Sequence, residues 1–83
     1  MAEKKEFTFE IKKHLGILSS GRSGWNREVN VVSWNGASPK IDIRDWSEDH
    51  SRMSKGVSMS AEEIAVLIEI LGEIDPYEEV GAL

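Results

Sequence analysis

Three tryptophans in a chain of 83 residues each stand near a cation: Trp25 near Arg22 and Arg27, Trp34 six residues before Lys40, and Trp46 two residues after Arg44. Aromatic faces interleaved with Lys and Arg on a sheet suit single-stranded nucleic acid. Bases stack on the rings for about 1 to 3 kcal/mol each, while cations follow the phosphates. A duplex does not offer its bases to a flat sheet in this way. The competing reading is that these tryptophans cap a core or fill an interface, as tryptophan commonly does. Arg52 and Lys55 lie in a glycine-containing loop where they could clamp phosphates, although loop charges are also commonly just solvated. The run Asp45, Glu48, Asp49, His50 is contiguous and loop-borne, so its side chains need not converge, and no metal site is expected. No Ser/His/Asp set, no spaced carboxylate pair and no P-loop is present, so neither enzyme activity nor a cofactor is expected.

The elements that must position these residues are read from periodicity. Residues 7–18, FTFEIKKHLGIL, alternate, with Phe7, Phe9, Ile11, Leu15 and Ile17 on one side and Lys13 the dissenter among them. SSGRSG at 19–24 is a turn, and 25–34, rich in β-branched and aromatic residues, reads as a second strand. NGASP reverses the chain into a third strand, Lys40 to Trp46. Pairing across that reversal is expected to set Trp34 opposite Lys40, Ser33 opposite Ile41 and Val31 opposite Ile43. Val29, Val31, Ile41 and Ile43 then form the core face, with Trp34, Lys40, Arg44 and Trp46 on the wet one. After a polar loop, VSM at 57–59 is a short fourth strand with Val57 and Met59 inward.

Ser60 and Glu63 fit a capping box that opens a helix. Ile64, Leu67, Ile68 and Leu71 share an arc of about 100°, the width a surface helix needs for its own core. Val66, Ile70 and Ile74 widen that arc, which suggests a second helix as partner, or else a curved sheet that wraps more of this one. The expected fold is α+β, with four antiparallel strands and one C-terminal helix in the order β-β-β-β-α. Residues 1–83 read as one domain with a core at 7–73. Pro76 is expected to stop any helix, and the acidic tail at 74–83 to be poorly ordered.

Composition narrows the classes further. A chain this short has limited surface to bury, which favours oligomerisation. The net charge is −5, yet all ten Lys and Arg lie in residues 1–56, with a local balance of +2, and residues 57–83 hold seven acids and no Lys or Arg. The basic front, not the average, is what a polyanion meets. There are no cysteines, no apolar run near the ~20 residues of a membrane span, and no signal-peptide core at MAEKKEF. A cytoplasmic location, with nucleoid association, is the corresponding expectation, with neither a membrane nor a small-molecule substrate as partner.

The segment PKIDIRDW…KGVSMSAEEIAVLIEIL, residues 39–71, resembles the single-stranded DNA-binding domain of the transcriptional positive cofactor four family, which shows an IDIRE-aromatic strand, a loop ending in KG, a short ISL strand and a helix. With GW, VSWNG and DH upstream and between, the likeness extends over residues 7–73 and is greatest to the bacterial YdbC-like branch. The resemblance implies a homodimer built through the helices, with Val66, Ile70 and Ile74 at its interface, and curved sheets that bind single-stranded DNA or RNA with little sequence preference. It implies a role near transcription or DNA repair, without catalysis. Arg44, Trp46 and Lys55 fall on family DNA-contact positions and Trp25 on a first-hairpin aromatic position, while Arg27, Trp34, Lys40 and Arg52 match more loosely. The alternative from another class is a dimeric protein-interaction module with exposed tryptophan hot spots.

Overall fold

The computed structural model describes residues 7–81, so that Lys4, Lys5 and the last two residues of the acidic tail lie outside it. Four strands, β1 Phe9–Ser20, β2 Asn26–Trp34, β3 Lys40–Trp46 and β4 Val57–Met59, form one antiparallel sheet in the order β1-β2-β3-β4. Two helices follow, α1 Ala61–Gly72 and the short α2 Pro76–Gly81.

The alternation expected along β1 does not persist. Register shifts fall between Ile11 and Lys13, His14 and Gly16, and Ile17 and Ser19, leaving Lys12, Leu15 and Leu18 without a partner. Phe9 and Ile11 lie opposite Trp34 and Val32, while Lys13 lies opposite Val31, so Lys13 has left the face of the aromatic residues. Leu15, Ile17 and Leu18 are exposed rather than forming a core stripe. Each extra residue bends and twists the strand, which curls the sheet.

β2 and β3 pair two residues out of the expected register: Val31 faces Ile41, Val29 faces Ile43, and Lys40 faces Val32 rather than Trp34. The cause is at the reversal, where Asn35 (φ 51°) and Gly36 (φ 75°) adopt left-handed backbone and Ala37 N donates to Trp34 O at 2.9 Å. Asn35 is tied to β1 by its N–H to Thr8 O (2.8 Å) and by Thr8 N to its Oδ1 (2.8 Å), which commits the end of β2 to β1. An even slip keeps every side chain on its face.

The most enclosed residues lie on the face expected to be wet. The best-buried side chains, Val32, Trp46, Asn30 and Asp42, lie on the face of Trp34 and Arg44, with Glu28 nearly as enclosed. The sheet curls towards this face: Phe9 pairs with Trp34 at one end of β2, yet its ring stands 5.3 Å from that of Trp46, which is paired at the other end. Val29, Val31, Ile41 and Ile43, on the helix side, are only half-buried.

Ser60 caps α1 with both bonds of the capping box, Glu63 N to Ser60 Oγ at 3.1 Å and Ser60 N to Glu63 Oε1 at 2.9 Å. Ile64 and Leu67 are half-buried, but Ile68 is 66% and Leu71 52% exposed, against the expected core stripe. A twelve-residue helix reaches the sheet chiefly at β3 and leaves Val66 and Ile70 uncovered, with Ile74 just past its end also exposed. Pro76 opens α2 rather than excluding a helix, because its missing N–H is not needed in a first turn.

Candidate nucleic-acid interface

On the curled face, Asp42 organises the side chains around Trp34. Arg44 grips its carboxylate with Nε and Nη2, both at 2.7 Å, and Ser58 Oγ donates to it at 2.7 Å. Ser58 Oγ in turn accepts the indole N–H of Trp34 at 3.0 Å. The Arg44 guanidinium lies 4.5 Å from the centroid of the Trp34 ring, a cation–π distance, and Nη1 reaches Ser54 O at 3.3 Å. Arg44 is 14% and Asp42 0% exposed, so this arginine is an internal brace and not a free cation.

Trp46 is wholly buried, which corrects its expected place on the wet face: it fills the hollow of the curl, against Phe9 at 5.3 Å and His50 at 5.5 Å. The aromatic surface at that end of the sheet comes instead from Phe7, 63% exposed, and half-buried Trp34, with rings 5.9 Å apart. Alternation puts Phe7 and Phe9 on a core face; Phe9 is half-buried against Trp46 on the best-buried face, whereas Phe7 is exposed.

Gly56 explains why a glycine follows Lys55. A Cβ there would lie 2.3 Å from Arg44 Cβ and 2.4 Å from Ile43 O, so only glycine lets the loop press onto β3. That contact produces a cleft of about 240 Å³ lined by Arg27, Arg44 and Lys55, with Asp45 as its acid. Arg27 Nε donates to Asp45 Oδ1 at 2.9 Å, and this hydrogen bond, with the attraction between the charges, raises the Arg27 pKa and lowers that of Asp45. Lys40 is exposed at the start of β3, on the face of Trp34.

Trp25 and Arg52 meet elsewhere. They line a second surface hollow, of about 720 Å³, together with Ser47, Glu48, Asp49 and Ser51. Its loop is closed by Ser47 N to Arg52 O and Arg52 N to Ser47 Oγ, both 3.0 Å, with His50 in left-handed backbone (φ 61°). Asp49 Oδ1 accepts from Ser51 Oγ (2.7 Å), Ser51 N (3.0 Å) and Ser47 Oγ (3.0 Å), and these bonds hold its carboxyl down to about 2.

His50 leaves the acidic run and joins β2. Its Nε2 lies 2.9 and 3.0 Å from the two oxygens of buried Glu28, while His14 Nδ1 is 2.7 Å from Asn30 Oδ1 and Asn30 Nδ2 donates to Glu28 at 3.1 Å. Burial pushes the Glu28 carboxyl up, but the hydrogen bonds from His50 and Asn30 and the charges of the two histidines outweigh it and leave the group below its ordinary value. The eight expected site residues therefore divide into a Trp34–Arg44 stack beside exposed Lys40, the Arg27–Lys55 cleft, the Trp25–Arg52 hollow, and Trp46 beneath them.

A curled four-stranded antiparallel sheet followed by α1 and the short α2, with its rings and cations in separate clusters, defines a small domain of the β-β-β-β-α kind. The model of the Transcriptional Coactivator p15 (PC4) family matches residues 22–70, more than half of the chain, and the chain belongs to that family. It is also similar to an uncharacterized protein of Treponema pallidum (strain Nichols), 42% identical over 74 residues and covering 87% of each chain.

Proposed function

We propose that the protein is a homodimeric, sequence-tolerant binder of single-stranded DNA, and of RNA where it is offered. It acts in transcription or DNA repair, without catalysis, in the cytoplasm and at the nucleoid. Membership of the PC4 family supports the single-strand and transcriptional parts of this reading. The observation that carries it in the structure is the basic cleft where Gly56 lets Lys55 sit against β3 beside Arg27; Trp34 and Phe7 form a separate aromatic patch. Cations capture the backbone, and rings then receive bases.

Of the expected site cations, Arg44 is engaged by Asp42 and Arg52 lies in the acidic hollow with Trp25, which leaves Lys40, Lys55 and Arg27, the last paired with Asp45 but 57% exposed. Three contacts at ~0.7 each predict that log affinity falls against log salt with a slope near ~2. Titration of fluorescent oligo-dT at several salt concentrations checks this, and a flat response would remove the electrostatic half of the proposal. For the alternative of tryptophan hot spots for a protein partner, buried Trp46 is unavailable while half-buried Trp25 and Trp34 serve either partner, and binding that survives high salt and ignores oligo-dT as competitor would favour it.

A further inference from the structure

We propose that the hollow between Trp25 and the loop after β3 is a base pocket that prefers guanine, an inference that rests on the single-strand reading above. Three features set it apart from a merely acidic loop. It has an aromatic wall, Trp25; it has a volume of about 720 Å³, within the roughly 300 to 1,000 Å³ of small-ligand sites; and its loop is fixed by the Ser47–Arg52 and Asp49–Ser51 hydrogen bonds. Within it Glu48 has no hydrogen bond or ion pair to any described residue, and its Oε1 would stand 3.7 Å from a Cβ at Gly24, the residue before Trp25. Asp49 has Oδ1 satisfied by three donors, so it holds the loop while Glu48 faces the hollow.

The charge of this hollow decides what enters it. Two carboxylates repel a phosphate, and Arg52 on the same wall disfavours a cationic guest, so a neutral heterocycle is the guest that fits. A base lying on Trp25 presents its Watson–Crick edge to the loop. Only guanine offers a carboxylate two adjacent donors, N1–H and the 2-amino group, and its O6 beside them accepts from a guanidinium. Thymine offers one N–H between two carbonyls, and adenine and cytosine offer one amino group beside an acceptor nitrogen, all of which set a lone pair against Glu48. The rest of the sheet binds without preference, and this pocket biases the register in which a strand settles.

The test uses the full chain and three 15-mers: dT15, d(TTG)5, and the same strand with hypoxanthine at each guanine. At equal salt, d(TTG)5 should bind at least about 5-fold tighter than dT15, the low end of a bidentate base contact. Hypoxanthine keeps N1–H but lacks the 2-amino group, and should lose most of that gain. Glu48→Gln should bring the d(TTG)5 and dT15 affinities together, and Trp25→Ala should weaken both. Equal binding of d(TTG)5 and dT15 by the unaltered protein, or a preference that survives Glu48→Gln, overturns the guanine pocket and leaves single-strand binding standing. Failure to bind any of the three strands would overturn the single-strand reading itself.

Discussion

Asp42 is wholly buried and takes three hydrogen bonds, two from the fork of Arg44 and one from Ser58. Arg44→Ala should therefore destabilise the fold by about 3 to 5 kcal/mol, because it strands a buried carboxylate. Urea denaturation reads this directly, and a loss below ~1 kcal/mol would mean that water or a rearranged neighbour replaces the arginine. Arg44→Lys keeps the charge but not the planar fork, and should recover only part of the loss. Trp46 belongs to the same account. Trp46→Ala should cost about 3 to 5 kcal/mol as a buried aromatic truncated to a cavity, so a fall in DNA affinity is interpretable only at temperatures where the variant is folded. Its indole N–H has no hydrogen-bond partner among the described residues, and Trp46→Phe should accordingly be milder than the alanine variant.

Among the elements, the strand order, the capping box and the helix were legible in the sequence, because each depends on local pattern: alternation, a Ser-x-x-Glu, an apolar arc. What escaped was set by neighbours. The three shifts in β1 depend on how it fits β2, and the first of them takes Lys13 off the face on which Phe9 meets Trp46. The wet face was misjudged because Lys40, Asp42, Arg44 and Trp46 look polar in sequence, yet Asp42 and Arg44 satisfy each other and so allow burial. Glu28 clasps three elements in the same way, sitting on β2, bonded to Asn30 and to His50 of the loop, with His14 of β1 within 3.6 Å. Since its carboxyl is lowered from 4.5 in the folded chain, it contributes stability above that value, and the contribution is lost as pH falls through the lowered one. Glu28→Gln should flatten the acid limb of the stability curve below about pH 4.5; an unchanged limb would place the acid sensitivity on other carboxylates. Gly56→Ala tests the seat of the loop. The clash of its Cβ with Arg44 Cβ and Ile43 O should cost about 1 to 3 kcal/mol and loosen Lys55, so that denaturation midpoint and oligo-dT affinity fall together.

At the scale of the molecule, the chain is extended. Its radius of gyration is 15.7 Å, against about 12 Å for a compact chain of this length, and it extends 58 × 33 × 22 Å. α1 leaves apolar surface uncovered at Val66, Ile68, Ile70 and Leu71, and Ile74 is exposed just past its end. A second copy is the partner that the proposed homodimer brings, and the charge pattern opposes it. Residues 57–83 contain seven acids and no Lys or Arg, so two such helices meeting face to face bring Glu62, Glu63, Glu69 and Glu73 together with no cation from either helix between them. Apolar burial has to outweigh that repulsion, and salt screens the repulsion without weakening the burial. Dimerisation and DNA binding should then respond to salt in opposite directions, the dimer tightening while oligo-dT affinity falls along its slope near ~2. Sedimentation equilibrium between 50 and 500 mM salt reads the first, with Ile70→Glu as the control that should yield a monomer at every concentration. A dimer that dissociates as salt rises would show that ion pairs hold it, and would move the interface from α1 to the basic half of the chain.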